Sequence, residues 1–128
     1  MDVQYGCTIL YVEDVPATLK AYNQAFGFEQ KLLTPEKDYG ELATGLTTLA
    51  FANVELAKSN FYKGFTLSKA NEQPFGMEIA FTSSELERVM ELGLNNGAEL
   101  LQEAVTKPWG QTVGLNGFII EICSPIKE

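Results

Sequence analysis

An apolar run leading into a helical pattern occurs twice in this chain, the second copy beginning 71 residues after the first. Cys7-Thr8-Ile9-Leu10-Tyr11-Val12 precedes Asp14, and Glu78-Ile79-Ala80-Phe81-Thr82 precedes Ser84. A later pair, Gly45 to Phe51 and Gly117 to Ile122, lies 72 residues apart when the glycines are matched. With 128 residues, of which 45% are hydrophobic, the chain is long enough for one buried core and too short for two independent domains. Two small modules are therefore expected to share a core, with the functional site where the copies face each other.

Each copy reads as β-α-β-β-β. In the first, Gly6 to Val12 is rich in β-branched and aromatic residues, Asp14 offers an N-cap, and Pro16 fits the first helical turn. Leu19, Tyr22 and Phe26 recur on one face of a helix from about Val15 to Ala25, which Gly27 closes. Phe28 to Leu33 is a strand, and Tyr39 to Thr44 and Leu46 to Ala52 are predicted to form a tight hairpin around Gly45. In the second copy, Ser84 with Glu87 is a capping-box pattern for a helix carrying Leu86, Val89, Met90 and Leu92. Ala98 to Val105 is the return strand, and Asn116-Gly117 joins the closing hairpin. The modules are expected over residues 4–52 and 75–124, with a linker over 53–74.

Charge and composition narrow the chemistry. Seventeen acids against nine bases give a net charge of −8, which disfavours DNA and RNA as partners because the basic footprint they need is missing. The chain contains no histidine, so histidine triads, histidine general bases and histidine metal sites are excluded. No apolar run is long enough for a membrane span, and the opening residues lack a basic segment followed by an apolar one. The expected location is cytoplasmic, where Cys7 and Cys123 read as reduced thiols.

The residues resemble a known superfamily. Tyr11-Val12-Glu13-Asp14-Val15, with Ala21-Tyr22-Asn23-Gln24-Ala25-Phe26-Gly27-Phe28-Glu29, is similar to the opening strand and helix of the vicinal oxygen chelate superfamily. Lys107-Pro108-Trp109-Gly110-Gln111 and the hairpin ending Ile120-Glu121-Ile122 resemble its closing segment. That superfamily includes glyoxalase I, extradiol dioxygenases, fosfomycin-resistance enzymes and bleomycin-resistance binding proteins. The resemblance covers essentially the whole chain. It implies an α+β fold in which two βαβββ modules in tandem form a glyoxalase-like, half-barrel cleft, and a homodimer.

For metal-dependent members, the resemblance implies one ligand on the first strand and one on the last strand of each module. Carried over, these positions are Cys7 and Glu78 on the first strands and Leu49 and Glu121 on the last, the pairing that the matched glycines also give. Leucine cannot ligate a metal. Cys7, Glu78 and Glu121 remain as a set of three for a divalent metal, an uncommon mixture of soft and hard donors. The expectation is therefore no metal and no cofactor, with a divalent metal held by those three residues as the alternative.

Period-two alternation places Cys7, Ile9 and Tyr11 on one strand face, and predicts Leu49, Phe51 and Ile119 as further lining of an apolar, acidic cleft. Trp109 falls where the resembling proteins have a residue near the cavity mouth. Two readings stay open. One is a metal-free protein binding a small planar or cationic molecule, of the bleomycin-resistance kind. The other is a glyoxalase-family lyase or isomerase, or a dioxygenase-like enzyme, with Glu121 and Glu78 as metal ligands or general base.

Overall fold

The computed structural model describes residues 1–101 and 110–124, which divide into two compact units. The first comprises Met1–Asn23 and Gly27–Leu67; the second takes Gln24–Phe26 and the described residues from Ser68 onward. The fold is α+β. No helix among the described residues is long and apolar enough to cross a membrane.

In the first unit, β1 (Cys7–Val12) leads into α1 (Val15–Phe26), followed by β2 (Gln30–Leu33), β3 (Tyr39–Ala43), β4 (Thr48–Asn53) and α2 (Val54–Asn60). The strand order is β1-β4-β3-β2, with β1 parallel to β4 and the other pairs antiparallel. Asp14 caps α1 as expected, its Oδ1 accepting from the Ala17 amide at 3.0 Å, and Gly27 ends the helix in the left-handed region. Val15, Leu19, Tyr22 and Ala25 recur at helical spacing and are all buried. Tyr22 meets Phe51 of β4 with ring centroids 5.0 Å apart, which fixes the sheet face that α1 covers.

The second unit repeats the plan with β5 (Glu78–Thr82), α3 (Leu86–Asn95), β6 (Glu99–Leu100), β7 (Gly110–Leu115) and β8 (Phe118–Cys123). The order is β5-β8-β7-β6, again parallel between first and last strands. Ile120, Ile122, Val113, Leu115 and Met90 form its buried apolar set. Phe26, grouped with this unit, packs edge-on against Phe81 at 5.2 Å.

Three local expectations change. The stretch read as a linker contains α2, capped by Asn53, whose side chain accepts from the Glu55 amide at 2.8 Å. The Ser84–Glu87 capping box does not form: Glu85 is the N-cap of α3 without a side-chain cap bond, and Ser83 Oγ accepts from the Glu85 amide at 3.0 Å. The β3–β4 connection is a four-residue loop, residues 44–47, in which Thr44 Oγ1 donates to the Thr47 carbonyl at 2.8 Å. The predicted return strand beyond Leu101 and the Lys107-Pro108-Trp109 segment lie outside the described residues.

The loop length corrects the alignment of the two copies. Ala43 pairs with Thr48, and Gly114 with Ile119, so the hairpin ladders repeat at 71 residues, the same offset as Cys7 and Glu78. Module two adds one more pair, Leu115 with Phe118, and carries its glycine one turn position later. Matching Gly45 to Gly117 therefore slips β4 against β8 by one residue. Because a one-residue slip exchanges strand faces, the counterpart of Glu121 is Ala50, not Leu49.

Candidate functional site

Each sheet has one face covered by its helix and one face turned away from it. On the first sheet, the face opposite α1 is read from the register as three rows: Tyr39, Ala52 and Tyr11; Glu41, Ala50 and Ile9; Ala43, Thr48 and Cys7. The predicted residues Cys7, Ile9 and Tyr11 thus share this face. Leu49 and Phe51 do not; they alternate to the α1 side, where both are buried and Phe51 meets Tyr22. Phe65, from the segment after α2, packs on Tyr11 with centroids 4.7 Å apart.

Sequence reasoning missed Tyr39 and Glu41. The Tyr39 hydroxyl donates to Glu41 Oε2 at 2.6 Å in a partly buried setting. Burial first, then the Glu41 hydrogen bond and charge, and last Cys7, push the Tyr39 hydroxyl up from its ordinary value. The available signal was the alternation in Tyr39-Gly40-Glu41-Leu42-Ala43, which puts the polar residues on one face and buried Gly40 and Leu42 on the other.

On the second sheet, the face opposite α3 carries Glu99, Gly114, Ile119 and Glu78 in one row, Thr112, Glu121 and Ala80 in the next, and Cys123 with Thr82 beyond. The predicted residues Glu78, Ile119 and Glu121 are therefore on a common face. Among the described residues this face holds three carboxylates and neither lysine nor arginine. Cys123 belongs to the cluster: its thiol donates to the Phe81 carbonyl oxygen at 3.7 Å, and it stands two residues from Glu121 on the same strand face. Burial, then the charge and hydrogen bond of Glu121, then the charge of Glu78 raise the Cys123 thiol, so it stays protonated at neutral pH.

Beside the Glu99–Gly114 row, within the second unit, lies a cavity of about 120 Å³ lined by Glu72, Glu99, Leu101, Gly114, Asn116 and Phe118 among others. Gly114 shapes it together with Leu101, since a β-carbon on Gly114 would stand 2.8 Å from a Leu101 methyl.

The residues do not fit the divalent metal that the resemblance implies. At the four inherited positions stand a thiol, an alanine methyl and two carboxylates: Cys7, Ala50, Glu78 and Glu121. Among the described residues, no three His, Cys, Asp or Glu side chains gather where they could hold a metal ion.

Two four-stranded sheets, each built β-α-β-β-β with its first and last strands parallel, define the glyoxalase/bleomycin-resistance/dioxygenase fold, the fold of the superfamily that the sequence resembles. A glyoxalase-related enzyme from Fulvimarina pelagi shares it with a TM-score of 0.76 and 21% identity, over 95% of this chain and 88% of that one. A glyoxalase/bleomycin resistance protein/dioxygenase from Nocardioides matches with a TM-score of 0.70 and 14% identity, over 99% of this chain and 86% of that one. TioX from Micromonospora sp. ML1 matches with a TM-score of 0.69 and 16% identity, over 97% of this chain and all of that one (100%). At these identities the likeness is one of fold. No family sequence model matches the chain, and no curated protein sequence does. Trp109, predicted near a cavity mouth, lies outside the described residues.

Proposed function

We propose that the protein binds a small planar or cationic molecule without a metal, in the manner of bleomycin-resistance-type proteins. One observation carries this reading: the face of the second sheet opposite α3 bears Glu78, Glu99 and Glu121 and, among the described residues, no base. Carboxylates gathered on a sheet face attract cations by their summed field, which the net charge of −8 reinforces. The adjoining cavity of about 120 Å³ has Glu72 and Glu99 in its lining, which suits the cationic end of such a molecule. Alanine at the position equivalent to Glu121 supports the metal-free part of the reading. The protein acts in the cytoplasm as a homodimer, which size-exclusion mass checks.

The test joins metal analysis of the purified protein with calorimetric titration of planar organic cations, read in parallel by the fluorescence of Trp109, the single tryptophan. Substoichiometric metal and saturable binding weakened in Glu121→Gln are expected. Stoichiometric metal that is lost in Glu121→Ala overturns the reading.

A second reading, a lyase or isomerase with Glu121 or Glu78 as general base, is favoured by the sheet face that the two carboxylates share. Turnover of an α-hydroxy or α-keto substrate panel that is abolished in Glu121→Gln is its signature.

A further inference from the structure

Asn-Gly occurs twice in the chain, at Asn96-Gly97 and Asn116-Gly117, and the fold holds the two copies differently. In either copy the glycine nitrogen is a nucleophile for the asparagine Cγ, because glycine has no side chain to hinder the approach or the backbone rotation it needs. Ring closure requires the asparagine ψ to swing until the glycine nitrogen comes up to Cγ. The rate at each copy therefore depends on how readily the backbone there leaves its folded conformation.

Asn116 and Gly117 are the central residues of the β7–β8 turn, with φ 55 and φ +84, between the paired residues Leu115 and Phe118. The Lys69 backbone lies close over Gly117, so a rotation of the Asn116–Gly117 peptide runs into main chain. Asn96 is placed otherwise. It is the C-cap of α3, with φ −123 and ψ 31, and the Gly97 that follows is exposed. The nearest atom to a β-carbon placed on Gly97 would be a Leu115 methyl, at 4.0 Å. The Asn96 and Ala98 amides donate to the Gly93 carbonyl at 3.1 and 2.9 Å, and Asn96 Nδ2 donates to the Leu92 carbonyl at 2.7 Å. These bonds belong to the last turn of a helix, the part that frays first.

We propose that Asn96 is a site of spontaneous deamidation and isoaspartate formation in the folded protein, whereas Asn116 is protected. When the end of α3 opens, hydroxide removes the Gly97 amide proton and the nitrogen attacks Asn96 Cγ. A bond forms between Gly97 N and Cγ, the Cγ–Nδ2 bond breaks, and ammonia leaves after taking a proton from water. Water then opens the succinimide at either carbonyl, giving aspartate or isoaspartate; no electrons are exchanged. Both products lose the donor to the Leu92 carbonyl and place a negative charge at the C-terminal end of α3, where the helix dipole disfavours it. Isoaspartate also lengthens the main chain by a methylene next to Gly97, in the cavity wall that Gly97 shares with Glu72 and Glu99.

The test follows both copies in one sample. The full chain is incubated in mildly alkaline buffer and cleaved after glutamate, which delivers Asn96 within Leu92–Glu99 and Asn116 within Ala104–Glu121. Tandem mass spectrometry locates the converted residue, and chromatography against synthetic standards separates aspartate from isoaspartate. Conversion is expected at least about tenfold faster at Asn96 than at Asn116, since a helix end opens at lower cost than a turn held under main chain. The Asn96 rate should rise with pH, and in the urea-unfolded chain the two copies should convert at similar rates. Equal or faster conversion at Asn116 in the folded chain overturns the proposal, as does an Asn96 that stays intact while the unfolded chain converts. A difference that persists in urea overturns it too, because sequence rather than fold would then set the order.

Discussion

A β-carbon on Gly117 would stand 2.6 Å from both the amide nitrogen and the carbonyl carbon of Lys69. The backbone of the segment preceding β5 therefore crosses directly over the β7–β8 turn, where Gly117 has φ +84 and Asn116 φ 55. Left-handed values at both central residues are those of the two-residue hairpin turn that suits the strand twist. Gly117 is thus required twice, by its own φ and by the chain above it.

Gly117→Ala is accordingly expected to destabilise the protein by more than the about 1–3 kcal/mol that left-handed strain alone costs. Gly45→Ala provides the comparison, because Gly45 has φ +103 and a β-carbon added there would meet no atom within 4 Å. Urea unfolding of the two variants measures the difference. Equal losses would show that the approach of Lys69 carries no weight.

Phe51→Ala is expected to cost about 3–5 kcal/mol, since the ring is fully buried against Tyr22 and its removal leaves a cavity. Ile9→Ala, on the opposite face at 45% exposure, should change stability far less. Chemical denaturation of both variants checks the strand faces directly. A mild Phe51→Ala would mean that β4 presents the face assigned by matching Gly45 with Gly117.

The contrast between those two residues shows what the sequence makes legible. The architecture is readable because Cys7-to-Val12 and Glu78-to-Thr82 recur at the ladder's own offset, and because Asp14 and Gly27 bracket α1 with unambiguous end signals. The face of β8 is readable because it alternates buried with half-buried side chains, and β5 alternates exposed with half-buried ones, as β1 does with buried ones from Ile9 onward. The faces of β4 are not, because Leu49, Ala50, Phe51 and Ala52 are all apolar and all buried, so period-two alternation gives no phase. Phase then had to come from the turn, and the two turns differ in length. Glu41 escaped notice for a related reason: comparing copies by ligand position looks only at first and last strands, whereas this acid sits on the third.

Removing the negative charge beside Cys123 should make its thiol more reactive. Burial, Glu121 and Glu78 together hold the thiolate form down, and only the thiolate alkylates. In a Cys7→Ser background, which leaves Cys123 as the sole cysteine, Glu121→Gln is expected to speed iodoacetamide labelling at pH 8 several-fold and to shift the pH–rate curve downward. An unchanged curve would mean that Glu121 does not sit against the thiol.

Tyr22 ties stability to alkaline pH. Its hydroxyl is fully buried, and burial pushes its ionisation well above the ordinary tyrosine range. The unfolded chain releases that proton near about pH 10, so below this the stabilising contribution is complete, and above it the unfolded state holds fewer protons than the folded one. Stability must then fall as pH rises, by up to about 1.4 kcal/mol per pH unit for this one group, until the folded hydroxyl ionises in turn. Tyr22→Phe deletes the ionisable group while keeping the ring that packs on Phe51. Urea midpoints taken between pH 9 and pH 12 should therefore decline less steeply in Tyr22→Phe than in the parent, whatever the offset between the two proteins at neutral pH. Parallel declines would assign the alkaline sensitivity to other groups, of which Tyr39, raised by its own burial and by Glu41, is the next to remove.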